Sequence, residues 1–401
     1  MVWLLMPQAL AQDVSITALF KPDAAHPHLN QFKNTTPPSG YCQLYPGQCE
    51  AHKTFSLQVP IRFESSQAIP ANHASPRQGA TFKVPAQWRE LEVRHESGVV
   101  GTVKVRITGV GSKYVTEDVR QLTGNASDDY RLAHNLLWGM SWVNAPSPCL
   151  DSGVGYYGTN YYGFFWKAPV AAGCDKQAKF NVPWMRYDYL DFSYELVTPN
   201  PLGMLAGQYT GSLTYTVGPN GDFDFGDVML PSSPVLTMNF SLDVQHTLKV
   251  DIPPGGEKVQ LVPAGGWQSW LQAGRKPVRL FRDQTFNISA SSRFKMYMEC
   301  EWNSSIYDCQ LADRFSRRGV ELQVYVTLPN GLTDMSGQPV RHTRLRAGVA
   351  NALNFQPGFY VDRAPGVLHF EVPETQMQFM LSPGVGPFYQ GKVTVIWDSE
   401  I

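Results

Sequence analysis

No His-Glu-x-x-His helix, no Gly-x-Ser-x-Gly elbow and no glycine-rich phosphate loop occurs in these 401 residues. The short motifs of zinc peptidases, serine hydrolases and nucleotide-binding enzymes are therefore missing. Charge is scarce and balanced: 33 basic residues stand against 34 acidic ones, for a formal net charge of −1. Such a chain offers no bulk field to nucleic acid or to an acidic membrane surface. No interior segment approaches the ~20 consecutive apolar residues of a membrane-spanning helix. No Cys-x-x-Cys pair of the kind that holds zinc is found.

What is abundant is the material of strands and turns. Aromatics make up 12% of the chain, with 34 Gly and 30 Pro, a composition that suits many short strands and not helical bundles. Alternation of apolar and polar residues, the mark of a half-buried strand, runs through Phe55-Ser-Leu57-Gln-Val59, Leu91-Glu-Val93 and Val103-Lys-Val105-Arg-Ile107. It returns in Leu236–Leu242, Leu248–Ile252, Phe294–Met298, Leu322–Val326 and Leu368–Val372. Short helices are expected only between residues 115 and 140, and residues 12–50 read as irregular. Leu230-Pro231-Ser-Ser-Pro234 is the candidate linker, since proline interrupts a sheet ladder. The expected organisation is all-β, two immunoglobulin-like sandwiches in tandem, at residues 12–232 and 233–401.

Each half closes on the same pattern. Tyr209-Thr-Gly211-Ser-Leu213-Thr-Tyr215 and Tyr389-Gln-Gly391-Lys-Val393-Thr-Val395 both read Tyr-x-Gly-x-Φ-Thr-Φ, with Φ apolar or aromatic. Residues two apart on a strand share a face, so Tyr, Gly and both Φ positions are expected to face inward and Thr outward. The glycine leaves room for a close neighbour or a bulge.

Residues 1–11 end in Ala9-Leu-Ala11 after an apolar stretch, the pattern of a leader cleaved after Ala11 and of an exported chain. The six cysteines fit an oxidising compartment. Nearest-neighbour pairing joins Cys42 to Cys49, Cys149 to Cys174 and Cys300 to Cys309. Within the 149–174 loop lies Tyr156-Tyr157-Gly-Thr-Asn-Tyr161-Tyr162-Gly-Phe-Phe-Trp166. Aromatic faces beside hydroxyl and amide groups suit a sugar ring or an apolar peptide side chain; the same doublets also make ordinary core strands. Tyr156, Tyr157, Tyr161, Tyr162 and Trp166, with Arg186 as a source of charge, form the candidate ligand set. No catalytic residue, cofactor or metal site is expected. His26 and His28 lack a third ligand, and Glu90, Glu92 and Glu96 read as a solvated strand face. Five Asn-x-Ser/Thr sequons (Asn34, Asn125, Asn239, Asn287, Asn303) keep open a glycosylated two-domain surface protein, and a secreted carbohydrate-active enzyme is a further alternative.

The order of these marks resembles the tip adhesins, or biogenesis initiators, of alternate-class chaperone–usher pili, the CFA/I-type and cable-type fimbriae whose initiators form the CblD-like family. The marks are the early Cys42–Cys49 loop, the Cys149 and Cys174 pair, the Tyr209-Thr-Gly211 strand, Gly331-Leu-Thr333 with Gly337-Gln338, and above all the Pro-Gly-Val-Gly-Pro-Phe-Tyr389-Gln-Gly391-Lys-Val ending. The resemblance implies an N-terminal receptor-binding domain and a C-terminal pilin domain that lacks its last strand. A periplasmic chaperone, then a donor strand from the major pilin at the outer-membrane usher, would complete that sandwich. The protein would stand at the fimbrial tip on the cell surface and bind a host glycan or protein. Two departures limit the transfer. The arginine pair of CFA/I-type relatives is replaced by Val217-Gly-Pro-Asn-Gly221, and the cysteines of the pilin-like half are close neighbours.

Overall fold

The computed structural model describes residues 11–399 except 275, 304, 306, 314, 316, 317 and 383–387. The expected leader, apart from Ala11, and the loop at 383–387 lie outside the described residues. No helix among the described residues is long and apolar enough to cross a membrane.

Two compact units make up the chain. The first holds the segment ending at Ala18, then Lys33–Pro199 and Gln208–Asp243; the second holds Leu19–Phe32, Asn200–Gly207 and the chain from Val244 onward. Both are all-β, with the immunoglobulin-like character expected. The division does not fall at the Pro231–Pro234 segment, which belongs to the first unit. Pro231 ends a strand paired with Phe63–Ser65. Ser232 donates its N–H to the Arg62 carbonyl at 2.7 Å, and Pro234 accepts from Val217 N–H at 2.8 Å. Proline removes a donor only at its own position, so this segment turns along a sheet edge instead of leaving the sheet.

The first unit is built on a sheet of thirteen strands, with a separate two-stranded pair of Ala80–Phe82 and Cys174–Lys176. Its spine is the strand Val100–Val115. That strand pairs first with Arg89–His95, then with Leu190–Val197, and at its end with Tyr161–Lys167 and Arg186–Tyr187. The alternation has the expected result: Val103, Val105 and Ile107 are fully buried. Lys104 and Arg106, between them, pair with Glu90 and Glu195. Glu90 and Glu92 thus belong to a solvated, ion-paired face, as expected. The core is aromatic. Trp142 and Trp166 stack at 5.3 Å, with Phe82 edge-on to both and Phe164 tilted against them. Two short helices lie where expected. Asp118 and Asp129 cap their first turns by accepting backbone N–H groups, and Gly124 and Gly139 end them in the left-handed region.

The stretch 12–50 is more regular than its prolines suggest. It contains the strand Gln12–Phe20, whose Ile16, Ala18 and Phe20 are buried, and the helices Tyr41–Leu44 and Pro46–His52. These helices pack on the outer face of the sheet, where Tyr41 stacks on Phe165 at 3.9 Å. All three expected disulfides are present, Cys42–Cys49, Cys149–Cys174 and Cys300–Cys309, with Cα separations of 5.6, 5.8 and 5.4 Å.

In the second unit two sheets enclose a core of Phe286, Ile288, Phe294, Met296, Val324 and Phe355. The larger sheet runs Leu248–Asp251, Leu280–Ala290, Val361–Val372, Gly319–Thr327, Cys309–Asp313 and Tyr389–Gln390, with Val262–Pro263 and Thr343–Leu345 attached. The smaller runs Leu332–Asp334, Leu353–Pro357, Phe294–Cys300 and Val393–Ser399. The last of these is an edge strand.

Candidate functional site

Two surfaces, one in each unit, carry features that packing alone does not require.

In the first, the Cys149–Cys174 bridge closes a loop containing the hairpin of Leu150–Tyr157 and Tyr161–Lys167. Because neighbours on a strand point to opposite faces, the aromatic doublets are split by the sheet. Tyr162 and Trp166 face inward and are buried. Trp166 donates its indole N–H to the Trp142 carbonyl at 2.8 Å, and the Tyr162 and Ser141 hydroxyls lie 3.0 Å apart. These two are core residues, and no ligand reaches them; their place in the candidate ligand set is corrected. Tyr157 lies on the same side but at the margin, 44% exposed, with its ring stacked 5.5 Å from that of Tyr162.

Tyr156, Tyr161 and Arg186 come together on the outer face. Tyr156 is 42% exposed and its ring lies flat over Gly163, where a Cβ would stand 2.1 Å from it. Its hydroxyl meets that of Tyr189 at 2.8 Å. The Tyr161 ring is 6.4 Å from the Tyr156 ring, and Lys113 Nζ lies 5.6 Å from its centroid. Arg186 does not offer a free charge. Its Nε donates to Asp188 Oδ1 at 2.7 Å, while Lys113 Nζ holds Asp188 Oδ2 at 2.8 Å. Partial burial pushes the Asp188 carboxyl up, but hydrogen bonds from Lys113 and Arg186 outweigh it and hold the group below its usual value. The patch is an aromatic platform with an ion cluster at its rim, in which two cations share one carboxylate. Lys113, Asp188 and Tyr189 escaped the sequence reading because they join the patch only through pairing with strands distant in the chain.

Beside this platform Asp191 is buried. Its Oδ2 accepts the Tyr41 backbone N–H at 2.9 Å and Oδ1 has no partner among the described residues. Burial pushes its carboxyl up to about 8, the Tyr41 hydrogen bond opposing. Below the platform His134 bridges the Tyr114 hydroxyl and the Gly158 carbonyl, and burial lowers it to about 4. His134 holds the hairpin turn and Asp191 holds the start of the Tyr41–Leu44 helix, and both are buried.

In the second unit the inner faces of the two sheets do not meet along their whole length. They leave a groove of about 820 Å³. Leu322, Leu368, Phe370 and Val372 of the larger sheet form one wall, and Val393, Val395 and Trp397 of the edge strand form the other. Ile252, Leu261 and Trp267 reach over it from the segment that precedes Leu280–Ala290. The expected continuous Tyr389–Val395 strand is broken at Gly391-Lys392. Tyr389 and Gln390 pair with Ala312 and Asp313 in the larger sheet, whereas Val393–Ser399 pairs with Phe294–Cys300 in the smaller. Val393, Val395 and Trp397 are only half-buried, because nothing in the described chain fills the space beside them. The second edge of Val393–Ser399 has no strand partner among the described residues.

No family model matches this sequence, and no curated protein matches it. Among solved structures, it is similar to one described as a chaperone–tip adhesin complex vital for synergistic activation of CFA/I fimbriae biogenesis. Sequence identity there is 10% over 98% of this chain and 97% of that one, with a TM-score of 0.25. A second similar structure is the CsuC–CsuE chaperone–tip adhesion subunit pre-assembly complex from archaic chaperone-usher Csu pili of Acinetobacter baumannii. There, identity is 10% over 97% of this chain and 98% of that one, with a TM-score of 0.19.

Proposed function

We propose that this protein is the tip subunit of a chaperone–usher fimbria, exported and displayed at the cell surface, whose second unit is a strand acceptor and whose first unit binds a receptor. The observation that carries the reading is the open groove beside the unpaired edge of Val393–Ser399. An edge strand with half-buried apolar side chains is a hazard in a finished monomer, and a resource in a protein that receives a strand. Main-chain hydrogen bonds to the free edge supply affinity, and alternate apolar side chains fill the groove. A periplasmic chaperone and then the major pilin would each provide such a strand, with the usher exchanging one for the other. On this reading the protein acts by binding, through the groove of its second unit and the platform of its first.

The decisive experiment fuses a donor strand, taken from the major pilin's N-terminal extension, behind residue 401 through a flexible linker. The fused chain should unfold at a clearly higher temperature and aggregate less. Equal stability with and without the strand would mean the groove is not an acceptor site, and would favour an ordinary surface protein.

For the receptor, the platform of Tyr156 and Tyr161 with Tyr157 at its margin is the proposed contact. The aromatic faces of the platform suit a sugar ring or an apolar side chain, and Lys113 and Arg186, which share the one carboxylate of Asp188, leave its rim with an excess of positive charge. Replacing Tyr156 or Tyr161 by Ala should abolish binding to host cells or a glycan array at an unchanged melting temperature. Retained binding in both variants would move the receptor site elsewhere on this unit.

A further inference from the structure

The groove is lined by apolar side chains together with the polar Glu257, Gln260, Gln284, Gln390 and Lys392, and the strand that carries Gln284 bears on what can fill it; the inference rests on reading the groove as a strand acceptor. The strand Leu280–Ala290 is paired along its outer edge only at its two ends. Leu248–Asp251 covers Ala290 to Asn287, and Val262–Pro263 covers Phe281 and Leu280. From Asp251 to Val262 is eleven steps of chain, against six steps of partner from Asn287 to Phe281. The surplus leaves the ladder through Pro253-Pro254-Gly255-Gly256, with Gly255 at φ +83°, and Gly256, Glu257 and Gln260 border the groove beside Gln284. Opposite this segment, residues 282–286 have no strand partner on that edge among the described residues.

Register decides which way these residues face, because directly opposed residues share a side. Arg282 stands opposite Phe370 and Gln284 opposite Leu368, and both partners line the groove. Arg282 and Gln284 therefore hold inward positions, in line with the buried Leu280 and Phe286. Gln284 lines the cavity and donates to the Thr285 carbonyl at 2.9 Å. Arg282 is exposed and forms no hydrogen bond or ion pair among the described residues. The charged groups that line the groove, Glu257 and Lys392, are of opposite sign; Arg282 stands at its margin, at the inward position before Gln284.

We propose that the groove takes an extended strand with apolar side chains at alternate positions and a carboxylate at the inward position that meets Arg282. An apolar side chain there would bury the guanidinium without a partner, which is costly. A carboxylate gives it a charge-assisted, two-pronged hydrogen bond and fixes the register of the incoming strand. Arg282 thus selects which strand binds, and in which frame.

The test uses fluorescein-labelled peptides of about a dozen residues that alternate Val and Thr, with each Val in turn replaced by Glu or by Lys. They are titrated by anisotropy against the full chain and against the Arg282→Glu and Arg282→Ala variants, whose melting temperatures report folding. At one position the Glu peptide should bind the native chain about tenfold more tightly than its Lys counterpart, on the scale of a close charge pair. The order should invert in Arg282→Glu and level out in Arg282→Ala. Equal binding of Glu and Lys peptides at every position, or a preference that survives Arg282→Glu, overturns the proposal while leaving the groove as an acceptor. If no peptide binds, the all-Val parent included, the acceptor reading falls and this inference with it. A concentration-dependent dimer that the peptides do not displace would show a second copy of the chain in the groove, and would overturn it too.

Discussion

The strands Gly207–Thr216 and Tyr389–Ser399 carry the same seven-residue pattern and meet opposite fates. In the first unit the strand lies inside its sheet, between Arg89–His95 and Val235–Val244. Tyr209 and Tyr215 are fully buried, and the backbone of Glu92 passes so close to Gly211 that a Cβ would stand 2.3 Å from its carbonyl oxygen. In the second unit the strand breaks after Gln390, changes sheets and ends as an edge with half-buried Val395 and Trp397. The pattern determines which residues face inward. Whether a neighbour exists on the far side is determined by the rest of the chain, and only the second unit leaves that place open.

The contrast can be broken most forcefully at its tryptophans. Trp166→Ala removes a fully buried side chain and should cost about 4 kcal/mol, read as a large fall in the denaturation midpoint. Trp397→Ala should cost only about 1–2 kcal/mol in the free chain, since Trp397 is already half-solvated. It should instead remove most of the stability that a fused donor strand adds. Comparable losses for the two would mean that the groove is closed in solution.

The glycines sharpen the comparison further. Gly211→Ala forces a methyl group against the Glu92 backbone in a strand paired on both edges and should cost about 3 kcal/mol. At Gly391 a Cβ would approach the Gln310 carbonyl oxygen at 2.9 Å. The strand there ends its pairing, so the chain can shift and the loss should be about 1 kcal/mol. Chemical denaturation of both variants measures the difference, and an equal cost would mean that the second strand is as tightly enclosed as the first.

A smaller effect separates the outer face of the first unit from the second unit altogether. Asp191 is raised by burial to about 8 from an unfolded value of 3.8. The folded state thus holds a proton that the unfolded state has released, and stability present below pH 4 is lost as pH rises toward 8. Asp191→Asn keeps an acceptor for the Tyr41 N–H and removes this dependence. At pH 8 the variant should exceed the native chain by on the order of 2 kcal/mol, and at pH 4 the two should converge. A parallel pH profile for both chains would show that Asp191 is ionised in the folded protein without cost.

Much of this architecture was legible in the residues. Alternation marked Val103, Val105 and Ile107 as inward, the stretch 115–140 read as short helices, and nearest-neighbour cysteine pairing marked three local bridges. What escaped did so for physical reasons. The doublets Tyr156-Tyr157 and Tyr161-Tyr162 have apolar residues at both parities, so they carry no period from which a face can be read; the sheet buries Tyr162 and leaves Tyr156 out. Pro231 and Pro234 resembled a linker because a proline's missing donor reads the same at a sheet edge as between domains. An open sandwich in the C-terminal half was expected only through the family resemblance; alternation could not outline its groove, because the walls come from strands far apart in the chain. Its signal was nonetheless present at Arg282 and Gln284, two polar residues at inward positions of an otherwise ordinary core strand.

The interleaving of the two units also sets an order on their assembly. Leu19–Phe32 belong to the second unit, yet the bulk of that unit begins only at Val244. A nascent chain must therefore hold its early segment unsatisfied while roughly two hundred further residues are made, a long-range closure of the slow kind. Nearly all of the first unit, by contrast, is available once Asp243 has emerged. Among the described strands Val393–Ser399 comes last, so the wall that borders the groove is delivered after the sheets it closes against.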